Sequence, residues 1–94
     1  MDGKTADFQP LADVKDQNPL RILGDRIRAA RKELGWSQED FAGECDIDRS
    51  YIGGVERGER NLSFLTLCQI AKTLGSDVGT LTFDLPRKPR GRDG

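Results

Sequence analysis

The 94-residue chain contains no histidine and only two cysteines, Cys45 and Cys68. Without histidine, and with two cysteines that lack the paired spacing of a zinc site, a metal centre is not expected. The same shortage leaves no nucleophile with a neighbouring base, and no glycine-rich loop is present that would cradle a phosphate group. The sequence therefore argues against an enzyme and predicts no cofactor and no metal.

Long apolar runs are also missing. No stretch approaches the ~18 apolar residues that indicate a membrane span, and no signal-peptide pattern opens the chain. We therefore expect a cytoplasmic protein with no membrane partner. Charged residues make up 33% of the chain but leave a net charge of −1. This lack of bulk positive charge counts against nucleic-acid binding, unless one face of the protein is basic and the rest is acidic.

Length and composition predict one domain with two tails. Residues 1–18 are expected to be a disordered arm, although the spacing of Phe8, Leu11 and Val14 leaves open that a short piece docks on the domain. Residues 19–85 form the predicted domain. Residues 86–94 are rich in Arg, Lys, Pro and Gly, which predicts an extended basic tail that either contacts phosphates or only keeps the protein soluble.

Apolar residues recur at three- and four-residue steps in residues 19–85, which predicts an all-α fold. Helices are expected at about 19–34, 38–45, 49–57, 64–74 and 78–82. Each follows a residue suited to the N-cap position, and these are Asn18, Ser37, Asp48, Ser63 and Asp77. The first and fourth helices each carry an apolar stripe that is expected to be buried: Leu20, Leu23, Ile27, Ala30 and Leu34, and Phe64, Leu67, Ile70, Ala71 and Leu74. Trp36 is expected to be largely buried between the first two helices.

The stretch from Ser37 to Gly58 reads as two short helices across a tight turn. Ser37 and Asp40 have the spacing of a capping box, Asp46 tolerates the left-handed conformation of a sharp turn, and Asp48 can cap the second helix. A second helix in this arrangement fits the DNA major groove, where its first side chains meet base edges. Paired short helices also occur as plain packing units, so spacing alone leaves both interpretations open.

From Leu23 to about Leu85 the chain resembles the Cro and phage-repressor (XRE-type) helix-turn-helix family, which includes the controller proteins of restriction-modification systems. The matching segments are LGDRIRAARKELGWSQEDFA, IDRSYIGGVERGERN and SFLTLCQIAKTLG. The resemblance implies a compact five-helix lambda-repressor-like domain with flexible N- and C-terminal tails. It implies a sequence-specific transcriptional regulator, a repressor or controller, that binds an inverted-repeat operator in double-stranded DNA as a homodimer. The alternative is a protein-interaction module of the same fold that has lost specific DNA binding.

The resemblance also implies roles for individual residues. Arg31 and Glu56 stand where family members pair an arginine of the first helix with a glutamate of the recognition helix. The residues expected to read bases are Arg49, Ser50, Tyr51 and Gly54. Those expected to contact phosphates are Gln38, Gly53, Arg57, Arg60 and Asn61. Arginine is also the side chain best suited to a bidentate contact with guanine, so direct readout is expected to depend mainly on Arg49.

Two features of the predicted recognition helix leave alternatives open. The bare backbone at Gly53 and Gly54 either lets the helix sit deep in the groove and accept a thymine methyl, or marks a site that has decayed. Asp48 beside Arg49 either caps the helix and orients the arginine, accepts from a cytosine amino group, or repels phosphate.

The end of the domain carries more apolar residues than a small monomer readily hides. We expect a dimer interface here, formed by Leu65, Leu81, Phe83 and Leu85. Dimerisation is favoured because one short helix reads too few bases to be specific. The alternative is that Leu81 and Phe83 only close the bottom of the core.

Overall fold

The computed structural model describes residues 18–86, and over this range the chain is all α-helical, as predicted. The helices are α1 (Pro19–Glu33), α2 (Gln38–Cys45), α3 (Arg49–Glu56), α4 (Phe64–Thr73) and α5 (Val78–Thr82). The predicted arm and basic tail lie outside the described residues, except for Asn18 and Pro86. Within residues 18–86, none of the helices is long and apolar enough to cross a membrane.

Local capping signals set the helix boundaries. In α2 the Ser37 side chain accepts from the backbone N–H of Asp40, and the Asp40 carboxylate accepts from that of Ser37, which completes the predicted capping box. These bonds lower the pKa of Asp40, with the backbone N–H of Ser37 as the largest cause. Asp46 ends the helix in the left-handed conformation, at φ 59°. The sharp turn between α2 and α3 is therefore specified by short-range side-chain chemistry.

The core lies where the five helices meet, and its centre is completely shielded from solvent. Ile27, Phe41, Ile52 and Ile70 come from four different helices and are 0% exposed. The other buried apolar residues are Leu23, Ala42, Cys45, Val55, Ala71, Leu74 and Leu81. Because the two short helices α2 and α3 contribute five of these residues, their packing against α1 and α4 is what holds them in place.

Six of the residues that were predicted to be buried lie further out than expected. Three of them, Leu20, Ala30 and Leu67, are partly buried at the edge of the helix stripes, and the other three are Leu34, Phe64 and Trp36. Leu34 is 46% exposed because α1 ends at Glu33, and Leu34 lines an open groove at the helix end. Phe64 is 67% exposed because the first turn of α4 projects beyond the core, and burial increases only from Thr66 onward. Trp36 is only partly buried, with one face stacked on Phe41 at a centroid distance of 6.1 Å, because it lies in the turn between the helices.

Helices α1 and α3 approach so closely that no side chain fits between them at Gly24. A Cβ atom at this position would lie 2.5 Å from the Val55 carbonyl oxygen and 2.6 Å from that of Glu56. Gly58 makes a similar contact with the backbone of Arg21 and has a φ of 77°, a conformation that favours glycine. These two contacts fix the C-terminal end of α3 against α1.

Candidate nucleic-acid interface

A buried ion pair joins α1 to the end of α3. Arg31 donates from Nε to Glu56 Oε2 at 2.7 Å and from Nη2 to Glu56 Oε1 at 3.0 Å. Its Nη1 also donates to the Trp36 carbonyl oxygen at 2.8 Å. Arg31 is 7% exposed and Glu56 is 5% exposed. Each charge therefore needs the other to offset the free-energy cost of its removal from water. The structure thus contains the Arg31–Glu56 pairing that the family resemblance implied, and its two hydrogen bonds fix α3 relative to α1.

Gln38 extends this pair to the exposed start of α3. Its amide nitrogen donates to Glu56 Oε1 at 3.0 Å, and its amide oxygen accepts from Arg49 Nη1 at 3.3 Å. A chain of hydrogen bonds therefore runs from buried Arg31 through Glu56 and Gln38 to Arg49. Gln38 was expected to contact a phosphate. In the structure both ends of its side chain are hydrogen-bonded within the protein.

Asp48 caps the start of α3 next to Arg49. Its carboxylate accepts from the backbone N–H groups of Ser50, at 3.0 Å, and Tyr51, at 3.4 Å, and from the Ser50 hydroxyl. These bonds lower the pKa of Asp48, with the Ser50 hydroxyl as the largest cause. Of the three roles left open for Asp48, the structure shows the capping one. Because the Ser50 hydroxyl donates to Asp48, its lone pairs remain free to accept a hydrogen bond from a base amino group.

The two glycines of α3 are buried rather than bare. A Cβ atom on Gly53 would lie 3.1 Å from Arg57 Nη1, and one on Gly54 would lie 3.1 Å from Arg60 Cγ. The side chains of both arginines therefore lie along the helix, in the space next to the missing side chains. The expectation of an open backbone that accepts a thymine methyl is wrong for this arrangement, because Gly54 offers almost no surface. Sequence reasoning missed this cover because it depends on how the following loop folds back.

The loop after α3 carries the remaining residues that were expected to contact phosphates. Arg60 lies over the Tyr51 ring, with Cζ 5.1 Å from the ring centroid. Arg57 Nε is 3.1 Å from Glu59 Oε2, and both of these side chains are largely exposed. Asn61 is exposed. Arg57 and Arg60 therefore add two cationic groups beside α3, on a chain whose net charge is −1.

The apolar residues predicted to form a dimer interface differ in their exposure. Leu65 is 78% exposed and Phe83 is 73% exposed, whereas Leu85 is partly buried. Leu81 is only 3% exposed and belongs to the core, so it has almost no surface to offer a second chain. The alternative interpretation, closure of the core, therefore holds for Leu81 and not for Phe83.

Arg26 holds the end of α5, close to Phe83, and the sequence analysis did not predict this structural role. Its Nη1 donates to the carbonyl oxygens of Leu81, at 3.0 Å, and Phe83, at 2.6 Å. These bonds satisfy carbonyl groups at the end of α5 and fix it to α1. No local signal reveals the role, because the partners lie more than fifty residues further along the chain.

Neither cysteine belongs to a metal site in the described part of the chain, where no group of three or more His, Cys, Asp or Glu residues converges. Cys45 is buried, and burial raises the pKa of its thiol. It packs in the core as a small apolar residue. Within residues 18–86, most of the side chains that were expected to contact DNA lie at the start of α3 and in the loop after it.

Known proteins share this sequence pattern. A family model described as helix-turn-helix matches residues 27–81, which include α2, the turn and α3. Control protein C.MunI from a Mycoplasma species is 36% identical over 73 residues, covering 76% of this chain and 99% of that protein. A hypothetical transcription factor from Neisseria meningitidis is 37% identical over 65 residues, covering 68% of this chain and 61% of that protein.

The fold is also similar to that of a controller protein whose structure has been solved. The restriction-modification controller protein C.AhdI from Aeromonas hydrophila superimposes with a TM-score of 0.64 and 42% identity. The match covers 66% of this chain and 94% of that chain. The family model, the relatives and the structure agree with the pattern of two short helices and a tight turn seen here. This chain belongs to the XRE-type helix-turn-helix family.

Proposed function

We propose that this protein is a sequence-specific transcriptional regulator that binds an inverted-repeat operator in double-stranded DNA as a homodimer. The observation that carries the proposal is the position of Arg49. It lies exposed at the first turn of α3 and is connected through Gln38 to the buried pair of Arg31 and Glu56. An arginine held in this way presents the rest of its guanidinium group to a base edge, and guanine is the base that it fits best.

Backbone contacts would come from the groups on either side of Arg49. The first-turn backbone N–H of α2 at Gln38 is suited to bind a phosphate, as are Arg57, Arg60 and Asn61 in the loop after α3. Gly53 and Gly54 would not contact DNA themselves, because the two arginines cover them. Ser50 and Tyr51 would support base reading at the exposed start of the helix.

Dimerisation would supply the second half-site. We base the proposed interface on the exposed apolar side chains of Leu65 and Phe83, together with the partly buried Leu85. Two copies related by a twofold axis would place their α3 helices about 34 Å apart, one turn of DNA. The protein would act by occupying a promoter in the cytoplasm and would catalyse no reaction.

The decisive experiment is selection of duplexes from a random DNA pool at near-physiological salt, followed by sequencing. Enrichment of an inverted repeat with guanine at the position reached by Arg49 is the expected result. Arg49→Ala should weaken binding to the selected site by about 1–3 kcal/mol, whereas Lys72→Ala, which removes one exposed charge from α4, serves as the matched control. Equal losses from both variants would mean that only net charge matters.

An absence of enrichment would point to the alternative, a protein-interaction module of the same fold. In that case any residual binding should fade steadily as salt rises, without preference for sequence. The arginine side chains over Gly53 and Gly54 favour the DNA-binding role, because they give cationic character to the segment that had seemed bare.

A further inference from the structure

We propose that Gly54 is a positioning residue for DNA binding, because its missing side chain forms a seat that holds Arg60 in place over the recognition helix. The inference rests on the proposed function, in which Arg60 contacts DNA. It concerns how the arginine is presented and explains why the helix contains a glycine whose conformation does not require one.

The seat is defined by two contacts with one side chain. A Cβ atom on Gly54 would lie 3.1 Å from Arg60 Cγ and 3.2 Å from Arg60 Nε, closer than ordinary van der Waals contact. Further along the side chain, the guanidinium carbon lies 5.1 Å from the centroid of the Tyr51 ring, within cation–π range. Because Tyr51 and Gly54 are three residues apart on one helix, they lie on the same face. The arginine stem therefore rests on Gly54 and its charged end rests on Tyr51.

Within the described residues, the charge of Arg60 is not neutralised by a neighbouring carboxylate. No carboxylate within residues 18–86 forms an ion pair with Arg60, whereas Arg57, which covers Gly53, pairs with Glu59 at 3.1 Å. Of the two arginines that cover the glycines of α3, Arg60 is therefore the one with no carboxylate of residues 18–86 to compete with DNA for its charge. An arginine ordered before binding loses less side-chain freedom when it contacts DNA, which improves affinity without a new contact.

The presence of glycine at position 54 indicates a role other than helix formation. Glycine in a helix interior is less favourable than alanine, so Gly54 weakens α3. Gly43 in α2 provides the comparison, since an added Cβ there would meet no atom within 4 Å. A methyl group at position 43 has free space, whereas one at position 54 would require the Arg60 side chain to shift by a few tenths of an ångström.

The test compares Gly54→Ala with the matched control Gly43→Ala, using the duplex selected by the parent protein at fixed salt. Gly54→Ala should raise the Kd roughly 2- to 12-fold, the range expected when one side chain must be ordered on binding. Gly43→Ala should leave the Kd unchanged. Thermal unfolding of each variant ensures that both are folded at the assay temperature. An unchanged Kd for Gly54→Ala, and also for the bulkier Gly54→Leu, would overturn the proposal.

A double-mutant cycle separates positioning from a direct clash with DNA. In an Arg60→Ala background, Gly54→Ala should cause no further loss, because the side chain that it displaces is gone. A loss that persists in this background would mean that the new methyl group meets the DNA itself, which would refute the seat.

A measurement without DNA keeps this inference distinct from the proposed function. The Arg60 side-chain protons of the free parent protein should show upfield NMR shifts from the Tyr51 ring, and these shifts should be smaller in Gly54→Ala but unchanged in Gly43→Ala. Absent duplex enrichment by the parent would count against the proposed function. Shifts that are unaltered in Gly54→Ala would count against the seat.

Discussion

Replacement of Glu56 by alanine should remove most of the stability of this domain. The substitution leaves Arg31 at 7% exposure without its carboxylate, and it removes the acceptor for the Gln38 amide as well. Breaking a buried pair from one side costs about 3–5 kcal/mol. Total stabilities of natural domains are about 5–15 kcal/mol, and a chain of 94 residues belongs towards the lower end. Glu56→Ala should therefore be close to unfolded at room temperature.

Urea denaturation followed by Trp36 fluorescence is a suitable assay. Trp36 is the only tryptophan, it stacks on Phe41, and its carbonyl oxygen accepts from Arg31, so its signal reports the packing beside the pair. Glu56→Gln keeps an acceptor and should lose less stability than the alanine variant. The double variant Arg31→Met, Glu56→Met should recover much of the loss, since no charge is left buried. A Glu56→Ala midpoint equal to that of the parent would refute the reasoning.

Three further predictions test other parts of the structure. Gly24→Ala should destabilise the fold by roughly 1–3 kcal/mol in urea, because the methyl group meets two backbone carbonyls of α3; a parent-like midpoint would show that the helices can separate at little cost. The lowered pKa of Asp48 implies stability that is present above its ordinary value of 3.8 and lost as pH falls through the lowered folded-state pKa. The thermal midpoint should accordingly drop in that acid range, less steeply for Asp48→Asn, and identical pH profiles would contradict the capping role. Phe83→Glu should shift the protein towards monomer in sedimentation while keeping its thermal midpoint, because this side chain is 73% exposed; a persistent dimer would place the interface elsewhere.

Local signals allowed the helices to be predicted almost to the residue. The caps at Ser37 and Asp48 and the turn at Asp46 depend on groups two or three residues away, so their chemistry can be read from the sequence. The partners Arg31 and Glu56 lie 25 residues apart, and they were expected only because the chain resembles a known family. Spacing alone would not have joined them.

Contacts between distant segments could not be predicted. The side chain of Arg26 finds its acceptors 55 and 57 residues further along the chain, and Gly24 is required by a helix that follows it by some thirty residues. Helical periodicity placed Phe64 in the core but could not reveal that the first turn of α4 extends beyond its neighbours. The contact between Arg60 and Gly54 was missed for a related reason. The sequence shows that position 54 has no side chain, but it does not show that Arg60 occupies the space.

The contact at Gly24 also bears on how the proposed DNA sequence preference of this protein could change. Because the backbones of α1 and α3 touch there, the angle of the recognition helix is set by parts of the chain that do not face DNA. Side chains at the start of α3, such as Arg49 and Ser50, are exposed and can be exchanged without altering that angle. If these residues read bases as proposed, evolution or a protein engineer could vary the sequence preference there while the framework stays constant, whereas a change at position 24 would shift all the proposed DNA contacts together.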